Sequence, residues 1–146
     1  MLLQWSKALA IGHPIIDYDH QMLVNIANDL DYAVQSGAGN EAVGQSLERL
    51  IQYVESHFKR EEELFLASGY PFKAKHQQNH RDIEKLVRGF QAAFAADPAS
   101  VDMDKLLNFF REWLFKHIGK LDRGYAEYVL EAEKSSGHLN QRKGFV

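Results

Sequence analysis

Residues 47–65, LERLIQYVESHFKREEELF, place Leu47, Leu50, Ile51, Val54, Phe58, Leu64 and Phe65 at helical spacing. Apolar residues recurring with a period near 3.6 mark an amphipathic helix, and the alternation expected of a strand is absent. His57 and Glu61 fall on the same stripe. Four residues apart, they lie ~40° apart around the helix axis and one turn apart along it, so both can point at a common centre. A core-facing stripe carrying an imidazole and a carboxylate demands partners inside the fold, because an uncompensated buried polar group costs roughly 2–7 kcal/mol.

Three further blocks repeat this pattern on either side. The first runs from about Ile16 to Ser36 with Leu23, Ala27, Leu30 and Val34 on its stripe, and stops at Gly37-Ala38-Gly39, where glycine suits a C-terminal cap. Asn40 is the expected cap of the helix that contains His57. That helix runs to Ser68-Gly69, and Pro71 follows where a new helix can begin without an amide donor. The third block holds Phe72, Ile83, Val87, Phe90 and Phe94 and ends at Asp97-Pro98. Ser100 is then the expected cap for Leu106, Phe110, Trp113 and Leu114, with the helix continuing through Tyr125 and Tyr128. Connections of about three to six residues force sequential helices to lie antiparallel, so the expected fold is all-α, an up-down-up-down four-helix bundle. Residues 1–146 read as a single domain: an arm over about 1–15 anchored by Trp5, the bundle over about 16–134, and a loose tail over about 135–146.

Composition bounds the function. With 146 residues and 45% hydrophobic content, the chain can bury one core without staples. The absence of cysteine removes disulfides, thiolate metal sites and a cysteine nucleophile, and it fits a reducing, cytoplasmic location. No basic stretch precedes an apolar segment at the N-terminus, and no apolar run approaches the roughly 18 residues a membrane span needs. Seventeen basic against twenty acidic residues leave a formal charge of -3, which offers no footprint for a nucleic-acid backbone.

The chemistry sits in seven residues: His20, His57, Glu61, His76, His80, His117 and Asp122, in the order H…HxxxE…HxxxH…HxxxxD. An HxxxH pair alone is weak evidence in a chain with seven histidines. Location strengthens it, since His20 continues the Leu23/Ala27 stripe, His76 and His80 lie between Phe72 and Ile83, and His117 lies beyond Phe110 and Leu114. Height along the bundle agrees as well. His20 lies 16 residues before Ser36, His57 16 after Glu41, the His76/His80 midpoint about 17 before Ala95, and His117 16 after Val101. At ~1.5 Å per residue all four helices deliver their polar groups to one layer, at the end that carries the Gly69-Tyr70-Pro71 turn. Any one of these histidines could be an ordinary, satisfied core residue. Five imidazoles and two carboxylates together are satisfied most economically by metal ions. Ligand type leaves iron, zinc and manganese open. Asp122 is the exception to the register: five residues after His117 correspond to ~500° of helix, so a kink, a π-bulge or a break is expected near Gly119. His13 and His138 fall outside the set and are expected to be exposed, and Lys59, Arg60, Glu62 and Glu63 read as a solvated face.

The ordered set, with HFKREE at 57–62, HQQNH at 76–80, HIGKLD at 117–122 and the lead-in IGHPIIDYDH ending at His20, resembles the hemerythrins, most closely the single-domain bacterial members. The resemblance spans roughly Trp5 to Tyr128 and fills all seven ligand positions. It implies a non-heme di-iron centre, with His76, His80 and His117 on one iron and His20 and His57 on the other. Glu61, Asp122 and an oxo or hydroxo group would bridge the two. It further implies reversible dioxygen binding at the open position of the second iron, in a pocket walled by Phe58, Trp113, Leu114 and Ile118, and no enzymatic turnover. An imidazole-rich, carboxylate-poor set agrees, since fewer anionic ligands stabilise high-valent iron less and favour carrying oxygen over activating it. The alternatives are a di-iron oxidase or peroxidase, and an oxygen- or redox-sensing module acting on a separate redox or signalling partner.

Overall fold

The computed structural model describes residues 2–144, with side chains apart from those of 120, 121 and 136–144. Four long helical segments form it: α1 (Pro14–Gln35), α2 (Asn40–Leu66), α3 (Lys73–Ala96) and a fourth made of α4 (Met103–Lys116), a π-helical turn (His117–Leu121) and α5 (Asp122–Gly144). Short 3-10 turns at Lys7–Leu9 and Pro98–Ser100 complete the fold, and no strand occurs among the described residues. α1 packs on α2 and α4, and α2 on α3 and α5, giving the four-helix bundle expected.

The helix ends follow local chemistry. α1 begins earlier than its apolar stripe, because Pro14 occupies the first turn and His13, as N-cap, accepts a hydrogen bond at Nδ1 from the Ile16 amide at 3.4 Å. Gly37 closes α1 and Gly39 precedes α2, both at positive φ (68° and 92°), which glycine adopts without a Cβ clash. Gly39, not Asn40, is therefore the N-cap position of α2. Asp102 caps α4, accepting from the Asp104 and Lys105 amides at 3.1 and 3.2 Å, while the expected cap Ser100 lies in the preceding 3-10 turn.

Three further expectations are corrected. The arm docks through Leu2, Leu3 and Leu9, which pack on the core, and through Asn28, whose side chain pairs with the backbone of Leu2 and Leu3. Trp5, the expected anchor, is only half-buried. The tail expected from Ser135 is helical, continuing α5 to Gly144, and its residues 145–146 lie outside the described residues. Phe72 is 62% exposed because it sits at the N-cap of α3, before the helical stripe begins.

The interior divides in two along the bundle. A large apolar cluster joins Leu23, Ala27 and Leu30 of α1, Leu47 to Phe58 of α2, Val87 and Phe94 of α3, and Leu106 to Ile118 of the fourth helix. A smaller one joins Ile11, Ile16, Phe65, Tyr70, Tyr125, Ala126 and Val129. Between them in sequence lie His20 on α1, after Ile16 and before Leu23, Glu61 on α2, after Phe58 and before Phe65, and Asp122 on the fourth helix, after Ile118 and before Tyr125.

Candidate metal centre

All seven residues are buried, His20, His57, Glu61, His80, His117 and Asp122 completely and His76 at 3% exposure. Their donor atoms form two overlapping groups, each within 4.8 Å: His20, His57, Glu61, His117 and Asp122, and Glu61, His76, His80 and His117. Every imidazole turns Nε2 toward a carboxylate. Glu61 Oε1 lies 2.8 Å from His57, 2.9 Å from His117 and 3.5 Å from His80. Asp122 spreads its two oxygens, with Oδ2 2.5 Å from His20 and 3.9 Å from His57, and Oδ1 3.2 Å from His117 and 3.5 Å from His76. His117 and Glu61 belong to both groups, so the spatial sets overlap more than a clean three-plus-two division of histidines.

The π-helical turn makes this possible. An α-helical five-residue step leaves Asp122 ~140° out of line with His117, and the wider turn over His117–Leu121 closes that gap by adding a residue to the cycle. The distortion expected near Gly119 is there, between the two residues that need it.

The electrostatics call for cations. Burial pushes the Glu61 carboxyl up, and the neighbouring Asp122 does the same, yet His57 and His117 outweigh both and hold it below the usual range. Asp122 is held well below by His117 and by hydrogen bonds, against the effect of burial. Burial pulls the His117 imidazole down, but Asp122 and Glu61 carry it up to about 9, and His57 is raised in the same way by Glu61, Asp122 and Asp19. The two buried carboxylates thus remain charged and are balanced either by protons on the imidazoles or by metal ions in their place.

A fit test comes from the polar atoms left over. His57 Nε2, His76 Nε2, His80 Nε2 and Asp122 Oδ1 are buried and lack a hydrogen-bond partner. An unsatisfied buried group costs about 1–3 kcal/mol, and native folds rarely tolerate several side by side. His57 and Asp122 belong to one of the two overlapping donor groups and His76 and His80 to the other, and imidazole nitrogen with carboxylate oxygen is a donor set suited to iron, zinc or manganese.

Around this centre stand residues that the sequence did not mark. Asp19 Oδ2 accepts from His57 Nδ1 at 2.9 Å, and Glu62 Oε2 accepts from His80 Nδ1 at 3.0 Å. Both anchors fix the ring plane and the tautomer that leaves Nε2 free. Burial would raise Asp19, but His57 and Arg60 hold its carboxyl down at about 2. Tyr125, fully buried, donates its hydroxyl to Glu61 Oε2 at 2.7 Å, leaving only Oε1 turned to the imidazoles. The solvated face expected of Lys59, Arg60, Glu62 and Glu63 is correct for Lys59 and Glu63 only: Glu62 is buried and Arg60 half-buried, because both turn toward carboxylate or imidazole partners on neighbouring helices. His13 is likewise buried rather than exposed, with Nε2 2.7 Å from Glu133 Oε1 on α5. The side chain of His138 lies outside the described residues. The one sequence signal for the anchors is that Asp19 and Glu62 each adjoin a member of the seven, His20 and Glu61.

The apolar residues Phe58, Trp113, Leu114 and Ile118 all belong to the larger core cluster. Phe58 stacks flat on His80 with ring centroids 3.8 Å apart, and Trp113 lies 5.1 Å from His117. They cap the polar layer on its inner side.

A buried layer of imidazoles and carboxylates contributed by all four helices defines a four-helix bundle with a candidate metal centre in its core. The comparisons narrow the class. Residues 12–129 match the family model described as hemerythrin HHE cation binding domain, and the chain belongs to the hemerythrin family. It is 36% identical to a bacteriohemerythrin of Stenotrophomonas maltophilia, over 96% of this chain and 86% of the relative. A bacteriohemerythrin of Methylococcus capsulatus is 32% identical over 85% of this chain and 94% of its own. A crystal structure of wild-type hemerythrin superposes with a TM-score of 0.81 at 29% identity, covering 88% of this chain and 98% of that one.

Proposed function

We propose that this protein binds dioxygen reversibly at a pair of iron ions, for oxygen storage, delivery or scavenging, and is not an enzyme. The observation that carries the reading is the convergence of five Nε2 atoms and two charged carboxylates, several of them otherwise unsatisfied, in a layer shut off from water. Family membership supports iron over the other metals that such donors accept. His76, His80 and His117 would hold one iron and His20 and His57 the other, with Glu61, Asp122 and a solvent-derived oxygen between them. Asp122 suits a bridge because its two oxygens face different histidine groups. When bound, the iron pair supplies the electrons for reversible oxygen binding. The chain's own work is to orient the imidazoles through Asp19 and Glu62, to hold one oxygen of Glu61 with Tyr125, and to exclude water with Phe58, Trp113, Leu114 and Ile118.

The test is metal analysis and optical spectra on one sample, reduced, oxygenated and degassed. Two irons per chain and a colour that appears in air and fades on degassing are expected. Irreversible oxidation, or sustained turnover with a reductant, would overturn the reading in favour of a di-iron oxidase.

A further inference from the structure

The two imidazole anchors share a feature that ligand positioning does not require. Asp19, which holds His57, is itself gripped by the Arg60 fork, with Nε to Oδ2 at 2.7 Å and Nη2 to Oδ1 at 2.8 Å, and Tyr53 donates its hydroxyl to Oδ1 at 2.9 Å. Glu62, which holds His80, is bound by Arg81 through Nη2, and Gln77 donates to its other oxygen at 3.1 Å. The same chain of imidazole, carboxylate and arginine therefore runs from each histidine group to the surface, built from different helices on the two sides. Arg60 reaches from α2 to α1, and Arg81 from α3 to α2.

From this geometry we infer that Arg60 and Arg81 are positioning residues that set the redox balance of the metal pair by neutralising the carboxylates that anchor His57 and His80. The inference rests on the di-iron reading. An ionised carboxylate on Nδ1–H makes the imidazole a stronger electron donor, which favours the oxidised metal. An arginine fork on that carboxylate draws charge away from the shared proton, and its own positive charge acts in the same direction. Both effects keep the pair reduced, the form that takes up oxygen. The two sides are unequal. Arg60 makes a two-pronged contact with a carboxylate 2% exposed, whereas Arg81 is 51% exposed and divides itself between Glu62 and Glu84, the latter at 3.0 Å. Arg60 should carry the larger effect.

The experiment is a redox titration of the iron-loaded full chain, wild type against Arg60→Gln, Arg81→Gln, Asp19→Asn and the double variant Asp19→Asn/Arg60→Gln. For Arg60→Gln the oxidised-to-reduced ratio at a fixed potential should rise several-fold. Arg81→Gln should raise it less, and Asp19→Asn should lower it. In the Asp19→Asn background the Arg60 substitution should lose most of its effect, since its route through the carboxylate is gone. Arg60→Lys, which keeps the charge without the fork, should fall between wild type and Arg60→Gln. A second reading comes from zinc-loaded protein, where the His57 Nδ1–H proton resonance should move downfield in Arg60→Gln and stay in place in Arg81→Gln. An unshifted ratio in Arg60→Gln, or an equal shift with and without Asp19, overturns the inference while leaving reversible oxygen binding intact. A wild-type chain that takes up no metal pair overturns both.

Discussion

At one end of the bundle Leu30, Leu50, Leu106 and Phe110 fill the interior, while a few turns along the same helices the inward positions hold His20, His57, Glu61, His80, His117 and Asp122. Both regions are equally dry, and both lie on the stripes that the helical period turns inward. They differ in what satisfies them. Apolar side chains need only area and shape, so each contributes nearly on its own. The polar layer is satisfied collectively: remove one carboxylate and several imidazoles lose their counter-charge together. A bundle can therefore carry a site that is all-or-none inside a framework whose losses are graded.

That contrast is broken most directly at the carboxylates. Glu61→Ala or Asp122→Ala should abolish the paired site, with metal content falling from two ions per chain to at most one. Two ions and reversible colour in either variant would refute the bridging role. In the apolar region, Leu50→Ala should cost about 2–5 kcal/mol in a denaturant titration yet keep both ions wherever the protein is folded. Metal loss from a folded Leu50→Ala protein would mean that the two regions are not separable.

The pH dependence sharpens the comparison, because it should change sign with metal. In metal-free protein His117 is carried up to about 9 from its ordinary 6.5, so its pairing with Asp122 and Glu61 stabilises the fold fully below pH 6.5 and is lost as pH rises through about 9. The amount is on the order of 3 kcal/mol. Metal uptake runs the other way, weakening as pH falls, since protons compete for the same nitrogens. Chemical denaturation of metal-free protein at pH 6 and 9.5, alongside metal titrations at both, checks the two signs. The smallest effect belongs to neither region: Asp102→Ala removes the α4 cap and should cost ~1 kcal/mol with metal content unchanged, measured by thermal unfolding.

Much of this architecture is legible in residue spacing. The helices, their inward stripes and the common level of the polar layer follow from a 3.6-residue period and a fixed rise. Even a distortion near Gly119 is legible, since His117 and Asp122 cannot share a centre across five α-helical residues, although spacing leaves open whether it is a kink, a break or the π-helical turn observed. What spacing did not disclose involves contacts between helices. Glu62 lies in a run of charges, and nothing within α2 reveals that His80 of α3 waits opposite it. Asp19 adjoins His20 but serves His57 on the neighbouring helix. His13 resembles a stray surface histidine until α5 brings Glu133 beside it.

The sequence by itself determined that this chain is a four-helix bundle with six of its seven polar groups turned into one layer and Asp122 out of regular register, because period and rise are properties of each helix alone. Only the tertiary structure decided which carboxylate anchors which imidazole, that Asp122 faces both histidine groups, and that Tyr125 occupies one oxygen of Glu61. Those pairings depend on how the helices rotate and cross against one another. That arrangement is set by the packing of the whole core, and no single helix encodes it.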